Sequence, residues 1–402
     1  RSCHPPRRPE DSRLVDRRSS AGDWSTVPLF PPLHIGPLEA DPPVVLAPMA
    51  GVTNAPFRAL CRRFGAALYV SEMVGARAVV EGNERTFHIA RFADDEPVRS
   101  IQLYGTDPVV MGEAVRRVRD EVGVDHIDLN FGCPARKITR HGGGSALPLR
   151  PRLFAAVVAA AVDGAGDIPL TVKMRVGLDD EHRTWLVAGR LAEDAGAAAV
   201  AVHARTAEQL YSGVADWSTI TELKQTVTTI PVLGNGDIWE AADAVEMMRT
   251  TGCDGVVIGR GCLGRPWLFR DLVAAFAGAP VPAPPSLGEI VEMVRTHGEM
   301  LAEWFGEESG MKELRKHTGW YLQGFPVGRP LRASLRSMST LAELDALLDQ
   351  LDPALPFPRS AMRMQRGHTT GPRPVKLPEG WLDDPDALEP PSRLADLAVS
   401  GG

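Results

Sequence analysis

The sequence predicts an α/β protein, a (β/α)8 TIM barrel followed by a small C-terminal helical domain. Eight short runs rich in apolar and β-branched residues occur between Val44 and Gly261. Amphipathic stretches separate most of these runs, and strands that alternate with helices are typical of a parallel barrel. A Pro-rich segment follows, and beyond it the apolar residues keep helical spacing alone. The predicted strands are 44–49, 67–73, 99–105, 126–132, 170–176, 199–205, 230–236 and 255–261.

The elements around the strands favour a barrel over an open doubly wound sheet. Helices are predicted over 108–122, 183–195 and 238–250 because apolar residues recur there with helical spacing. A doubly wound sheet usually carries a GxGxxG turn after its first strand. The first run here leads into PMAGVT at 48–53, which lacks that pattern.

The chain divides into five predicted regions. Residues 1–26 are rich in Arg, Ser and Pro and are expected to form a disordered leader. The barrel is predicted over 27–276, and a stiff Pro-rich linker over 277–285. Ser286 and Glu289 match a capping box, so a helical domain is predicted over 286–351. The remainder, 352–402, is expected to be a loosely ordered tail.

Composition and charge exclude several classes of protein. A net charge of −7 rules out a polycation that coats nucleic acid, so RNA binding would need a local basic patch. The five cysteines lack CxxC spacing, which argues against a disulfide framework or a zinc site. No apolar run is long enough to cross a membrane. We therefore expect a cytoplasmic monomer that holds no metal.

Polar residues close nearly every predicted strand at its carboxyl end. In a barrel these ends form one face, and active sites lie there. A single polar strand end is usually structural, but a whole series predicts the rim of one site. The principal residues are Pro48, Met49, Glu72, Gln102, Asn130, Cys133, Lys173, Arg175, His203, Arg205, Asn235, Asp237, Gly259 and Arg260.

Four positions among these strand ends predict a flavin pocket. Glycines in 234–237 and 258–261 follow the last two strands, where this fold usually binds phosphate, although tight turns alone would also explain them. Arg260 adds a positive charge there. Lys173 needs an anion or an electron-rich partner, because an unpaired buried ammonium is costly. Gln102 and Asn235 can donate and accept at the edge of a flavin ring, so the set predicts a flavin mononucleotide (FMN) site.

Together these motifs resemble those of the tRNA-dihydrouridine synthase family, with the bacterial B-type branch as the nearest match. The resemblance covers residues 33–350 or thereabouts. Its most specific part is NFGCP at 130–134 together with the helical domain. The other matching motifs are APMAGVT at 47–53, QLYG at 102–105, GGGSA at 142–146, VKMR at 172–175, VHART at 202–206 with Tyr211, GNGD at 234–237 and IGR at 258–260.

The resemblance implies an FMN enzyme that uses NADPH to reduce the C5=C6 bond of a uridine in the tRNA D-loop. Reduced flavin would give hydride to C6, and Cys133 would protonate C5. A thiol with an ordinary pKa of about 8.5 is mostly protonated near neutrality, so cysteine suits this role. Asn130, Arg175 and Tyr211 would contact the uracil. FMN would be held by Pro48, Met49, Ala50, Gln102, Lys173, His203, Asn235, Gly236, Asp237, Gly259 and Arg260.

Two basic clusters are candidates for binding tRNA phosphates. The first lies within 312–336 and includes Lys312, Arg315 and Lys316, interleaved with aromatic residues that can stack on bases. A solvated helix face with a packed aromatic core is the competing interpretation. The second cluster is Arg136 and Lys137, just after the cysteine.

Two other functions fit part of the sequence. An FMN barrel that acts on a free pyrimidine or on dihydroorotate would need no basic helical domain. A tRNA-binding protein without redox activity would be expected to lack Cys133 or Lys173, and both residues are present.

Overall fold

The computed structural model describes residues 28–65, 67–367 and 371–391, so the predicted leader lies outside the described residues. The predicted (β/α)8 barrel is confirmed, since eight parallel strands close in chain order and the last pairs with the first. The barrel strands are β3 (Val44–Leu46), β4 (Leu68–Gly75), β5 (Ser100–Tyr104), β6 (His126–Phe131), β7 (Leu170–Arg175), β8 (Ala199–His203), β9 (Val232–Asn235) and β10 (Gly255–Ile258).

Most barrel strands end one to three residues before the predicted runs do. β3 ends at Leu46 and β10 ends at Ile258, so Met49 and Gly259 belong to loops. β4 is the exception and continues to Gly75. Gln102, Asn130, Lys173, Arg175, His203 and Asn235 lie within the last residues of their strands, so the polar residues that close the predicted runs gather at one face of the barrel.

A short hairpin that the sequence analysis did not predict covers the opposite face. It pairs β1 (Leu33–Ile35) with β2 (Leu38–Ala40) in antiparallel register. Leu33 and Ile35 are both 2% exposed and pack in one apolar cluster with Val45 and Leu68. Strands of three residues are too short to give a clear alternating pattern.

Helices surround the barrel, and local capping fixes where several of them begin. The Asp107 carboxylate accepts hydrogen bonds from the amides of Val109 and Val110, and Pro108 opens α4. A π-helical turn, Val118–Val122, continues α4 to the predicted end of that helix. The helices of this part are α1 (Ala55–Arg62), α2 (Ala76–Val80), α3 (Glu84–Ile89), α4 (Pro108–Arg117), α5 (Arg136–Thr139), α6 (Pro151–Ala165), α7 (Trp185–Asp194), α8 (Ser218–Thr226), α9 (Ala241–Thr251) and α10 (Leu268–Phe276), with 3-10 turns at Gly144–Leu149 and Arg260–Cys262.

Four helices follow the linker in the part of the chain that the structure describes, and the first begins at the predicted capping box. Ser286 Oγ accepts from the Glu289 amide at 3.4 Å, and the Glu289 carboxylate accepts from the Ser286 amide at 2.7 Å. A Cβ added at Gly310 would lie 2.6 Å from backbone atoms of the preceding helix, so these two helices pack closely there. The four are α11 (Leu287–Phe305), α12 (Glu307–Tyr321), α13 (Arg329–Leu335) and α14 (Leu341–Leu348).

The helical domain shares its apolar core with the barrel. Leu60 on α1 and Trp267 before α10 are buried in the same cluster as the apolar residues of α11 and α12. The ring of Phe357, beyond α14, packs edge-on against Trp267 with centroids 5.7 Å apart. Removing the domain would expose these side chains, so it is not an independent appendage.

Part of the tail that the sequence analysis expects to be loose is packed against the barrel. Arg265 Nη1 donates to the Met362 carbonyl at 2.7 Å, and a 3-10 turn forms at Arg359–Ala361. Trp381 is 3% exposed, although it lies in a Pro-, Asp- and Gly-rich stretch. Isolated anchors of this kind give no periodic pattern, so the sequence does not reveal them.

Candidate active site

A cavity of about 1040 Å³ opens at the carboxyl ends of the barrel strands. It is lined by most of the residues that the sequence analysis places in one site, including every predicted cofactor-binding position. Lys312 and Arg315 do not line it. The predicted site residues that line the cavity are Pro48, Met49, Ala50, Gln102, Asn130, Cys133, Arg136, Lys137, Lys173, Arg175, His203, Tyr211, Asn235, Gly236, Asp237, Gly259, Arg260 and Lys316.

A buried hydrogen-bonded chain joins β5, β6 and β7 below the cavity. Gln102 Nε2 donates to Asp128 at 2.6 Å, while Gln102 Oε1 accepts from Asn130 Nδ2 at 2.8 Å. Thr171 Oγ1 donates to the other Asp128 oxygen at 2.6 Å. Burial raises the pKa of Asp128 to about 6, and the hydrogen bonds from Thr171 and Gln102 oppose that rise. The chain fixes the amide of Gln102 in one orientation.

Lys173 lies on β7 with an amide as its hydrogen-bond partner. Its Nζ donates to Asn235 Oδ1 at 3.2 Å, and Asn235 Nδ2 donates to the Val257 carbonyl at 2.7 Å. Burial lowers the pKa of Lys173 to about 8, and the nearby Asp128 raises it in part. Among the described residues no carboxylate forms an ion pair with this ammonium, which lines the cavity.

His203, at the end of β8, is held as a neutral ring. Burial, with the positive charges of Arg175 and Lys173 nearby, keeps its pKa well below the ordinary value. Its ring lies 6.1 Å from that of Tyr211, measured between centroids. A neutral imidazole can both donate and accept a hydrogen bond toward a ligand.

The loop after β9 is shaped by Asp237, which has a left-handed backbone with φ of 54°. Its carboxylate accepts from Arg205 Nη2 at 2.7 and 2.8 Å and from the Ala215 amide at 2.7 Å. At Gly236 an added Cβ would lie 2.7 Å from Ala215 Cβ. Asp237 therefore orders the loop, while Gly236 keeps it close-packed.

Two arginines bring positive charge to this side of the cavity. Burial lowers the pKa of Arg260 to about 10, and its guanidinium carbon lies 4.1 Å from the centroid of the Tyr211 ring. Arg205 Nη1 is buried and has no hydrogen-bond partner within the described part of the chain. An added Cβ at Gly259 would meet no atom closer than 3.9 Å, so the backbone there borders open space.

Cys133 stands at the rim beyond β6, on a loop held by its own neighbours. Its amide donates to Asn130 Oδ1 at 2.9 Å, and its carbonyl accepts from the Ser145 amide at 3.1 Å. Gly144 has φ of 56°, and a Cβ there would lie 2.5 Å from the Cys133 carbonyl oxygen. Burial raises the pKa of the half-buried Cys133 thiol. The thiol is therefore protonated at neutral pH.

Arg175 ties two loops together beside the cysteine. Its Nε donates to the Gly132 carbonyl at 2.9 Å, and its Nη1 donates to the carbonyls of Thr206 and Leu210 at 2.8 Å each. The guanidinium carbon lies 5.4 Å from the centroid of the Tyr211 ring. Arg175 and Tyr211 are thus placed rigidly against one wall of the cavity.

The predicted basic cluster on α12 is largely engaged within the protein. Lys312 Nζ donates to Glu308 at 2.6 Å, and Lys316 pairs with Glu313. Arg315 donates to the Met338 and Ser337 carbonyls at 2.8 and 3.2 Å. Lys316 reaches the cavity, but the structure does not bring Lys312 or Arg315 into it.

Several residues that border the site were not predicted to bind a ligand. Asp128 lies on β6, and an acidic residue within an otherwise apolar strand could have indicated a place in the site. Arg205 was noted as a strand end without a role. Trp239 and the tail residues Arg373 and Lys376 also line the cavity, and no pattern in the sequence connects the tail with the barrel.

The described residues contain neither a candidate metal cluster nor a helix that could span a membrane. In residues 28–65, 67–367 and 371–391, no group of three or more His, Cys, Asp or Glu side chains is arranged to hold a metal ion. None of the helices in those ranges has the length and apolar character needed to span a membrane.

Comparison with known proteins places the chain in a family. The model of the family dihydrouridine synthase (Dus) matches residues 45–355. A probable tRNA-dihydrouridine synthase of Mycobacterium tuberculosis is 57% identical over 381 residues, which is 92% of this chain and 97% of that protein. The tRNA-dihydrouridine synthase B of Pseudomonas aeruginosa is 42% identical over 308 residues, which is 76% of this chain and 91% of that protein.

A solved structure shows the same fold at low identity. The 6-hydroxypseudooxynicotine amine oxidase of Pseudomonas geniculata superposes with a TM-score of 0.50 at 14% identity, over 80% of this chain and 65% of that one. The family match spans nearly all of the barrel and the whole helical domain, and the cysteine loop and the cavity floor lie within it. The chain therefore belongs to the dihydrouridine synthase family of tRNA-modifying oxidoreductases.

Proposed function

We propose that this protein uses FMN and NADPH to reduce the C5=C6 bond of a uridine in the tRNA D-loop. One observation carries the proposal: a protonated cysteine, Cys133, stands at the rim of a large cavity whose floor holds Lys173. The reaction adds a hydride and a proton across one double bond. The cavity must therefore supply a site for a hydride donor and an acid on the substrate side.

The residues at the cavity floor fit a flavin. Among the described residues Lys173 has an amide as its one hydrogen-bond partner, so it suits the electron-rich edge of the ring. Gln102 and Asn235 are held in fixed orientations next to it. Arg260, whose pKa of about 10 leaves it charged at neutral pH, suits the flavin phosphate, as does Arg205 Nη1, which has no partner among the described residues.

The remaining cofactor contacts follow the shape of the cavity. Pro48, Met49 and Ala50 would border the ring, and His203, Gly236 and Gly259 would border the phosphate and its chain. Asp237 would act through Arg205, because its carboxylate is already engaged there. When bound, the flavin supplies the hydride that adds to C6 of the uracil.

Cys133 would give the proton that C5 takes up. The acid has to be protonated before the reaction, and burial raises the pKa of this thiol. The two-electron reduction is then balanced, with one hydride added at C6 and one proton at C5. Asn130 and Ser145 hold the backbone of Cys133 in place, so the sulfur approaches the substrate from a fixed loop.

Arg175 and Tyr211 would position the uracil beside the cysteine. Arg175 is fixed by three backbone carbonyls, and the ring of Tyr211 lies close to the guanidinium groups of Arg175 and Arg260. Asn130 would serve mainly to hold the Cys133 loop, because its amide group bonds to Gln102, Gly132 and Cys133. We further propose that the enzyme works in the cytoplasm as a monomer.

The test compares substrates on the purified protein. We expect a bound flavin, visible in the absorbance spectrum, and NADPH-dependent formation of dihydrouridine in unmodified tRNA. Free uracil and dihydroorotate should not react. A flavoprotein that turns over free pyrimidine or dihydroorotate but not tRNA would contradict the proposal. Binding of tRNA without flavin or reduction would support the redox-inactive alternative.

A further inference from the structure

We propose that residues 371–391 form a strap across the cavity mouth, and that Arg373 and Lys376 on it bind tRNA phosphates next to the target uridine. The inference rests on the proposed function, because it takes tRNA as the substrate. It assigns a substrate-binding role to a segment outside the family match, which ends at residue 355.

The middle of the strap is held by Trp381. The indole is buried, and its Nε1 donates to the Ala146 carbonyl at 3.0 Å. The Arg150 guanidinium stacks on the ring at 3.9 Å from the centroid and donates to the Trp381 carbonyl at 3.2 Å. A Cβ at Gly142 would lie 2.4 Å from the indole, so the site is shaped for this ring.

The amino end of the strap is held on the other side of the cavity. The Arg373 amide donates to the Glu208 carbonyl at 3.1 Å, in the loop that follows β8. Ala146 belongs to the segment that follows β6. Because β7 lies between β6 and β8, the strap passes over the carboxyl end of β7, the strand that carries Lys173 and Arg175.

The cations on the strap are available to a ligand. Arg373 and Lys376 are exposed and line the cavity mouth. Within the described ranges no ion pair or side-chain hydrogen bond engages either of them. The same holds for Arg136 and Lys137, which are exposed on the cysteine loop and line the same cavity. The lysines of α12 instead pair with glutamates.

These positions favour RNA as the occupant. A uridine that enters the cavity carries phosphates on both sides, and these must remain outside in the water-filled rim. Four cations without acidic partners meet them there, two from the barrel and two from the strap. The chain as a whole has a net charge of −7, so a polyanion such as RNA would be attracted only to this group of four cations at the rim.

The experiment removes the two strap cations and leaves the anchor intact. Arg373→Ala/Lys376→Ala is compared with Arg190→Ala/Arg249→Ala, a charge-matched control on the outer helices α7 and α9 that does not line the cavity. tRNA affinity is measured against salt concentration. Each phosphate contact to a single strand contributes about 0.7 unit of slope, so the strap variant should lose about 1.4 units and the control none.

Three further readouts separate this proposal from the proposed function. The strap variant should keep its flavin content and its kcat at saturating tRNA, while its KM for tRNA rises. Trp381→Ala should release the strap and also raise the KM for tRNA.

A strap variant that makes dihydrouridine with the same salt slope and the same KM as the control would overturn the inference. Tighter tRNA binding by the variant would do so too, because the strap would then obstruct the site. A parent protein that reduces no tRNA would instead refute the proposed function.

Discussion

Replacing Lys173 by Met should abolish the pH dependence of cofactor binding. In the free protein burial lowers the pKa of Lys173 from 10.5 to about 8. An electron-rich group bound beside Nζ stabilises the ammonium, so the pKa in the complex is higher than in the free protein. Binding therefore takes up a proton above pH 8, and the affinity for the cofactor falls as the pH rises through 8.

The size of the effect follows from the pKa shift. If the bound cofactor returns the pKa of Lys173 from about 8 to its ordinary 10.5, the change corresponds to about 3.4 kcal/mol between the two protonation states. This is an upper limit, because the Lys173 side chain keeps some contact with water in the cavity. Each pH unit above 8 should then weaken binding by up to about tenfold, and by no more than roughly 300-fold in total.

The assay is quenching of FMN fluorescence by the cofactor-free protein from about pH 7 to about pH 9.5, a window set by the linkage argument. Lys312→Met is the matched control, because Lys312 is exposed on α12 and does not line the cavity. The affinity of the wild type and of the control for FMN should fall with rising pH. Lys173→Met should bind FMN more weakly than they do below pH 8, and its affinity should not change with pH. Equal pH dependence in all three proteins would refute the assignment of Lys173.

The other predictions concern the phosphate side, the α12 lysines and the helical core. Arg260→Ala should lower the flavin-to-protein absorbance ratio after purification, and an unchanged ratio would place the phosphate elsewhere. Lys312→Ala/Lys316→Ala should reduce the salt dependence of tRNA binding by less than the strap variant does, because both lysines are paired with glutamates; a larger reduction would make α12 the main phosphate contact. Burial keeps the pKa of His317 well below its ordinary value, and neither ring nitrogen has a hydrogen-bond partner within the described residues. The unfolded chain takes up this proton below about pH 6.5, so His317 makes the folded state less stable as the pH falls. In urea unfolding, His317→Leu should therefore reduce the loss of unfolding free energy by up to about 1.4 kcal/mol per pH unit. A plot of unfolding free energy against pH with the same slope as the parent would contradict this role of His317.

Repeating local patterns made the barrel predictable from the sequence. Eight β-rich runs alternate with helical stretches, and polar residues such as Gln102 and Asn235 close runs that are otherwise apolar. Parallel strands bring those ends to one face, so the fold itself assembles the site from residues far apart in the chain. The capping box at Ser286 is equally local, and it begins a helix as predicted.

The features that were missed depend on contacts between distant segments. The engagement of Arg315 depends on a carbonyl 23 residues away. The pairing of Lys312 with Glu308 is the exception, because the two residues are four positions apart on α12 and the sequence already shows that spacing. Trp381 anchors its segment in a pocket made by Gly142 and Ala146, more than 200 residues earlier in the chain. No propensity or periodicity encodes such a contact.

The most direct test is a single turnover of Cys133→Ala with unmodified tRNA. The enzyme is first reduced with NADPH, and dihydrouridine and flavin oxidation are followed after mixing. Cys253→Ala is the control, because Cys253 is buried and does not line the cavity. We expect Cys133→Ala to keep its flavin and its oxidation of NADPH but to form dihydrouridine at least about 100-fold more slowly, the usual contribution of a general acid. Cys253→Ala should react like the parent. Dihydrouridine formation by Cys133→Ala at the parent rate would contradict the role of Cys133 as the acid.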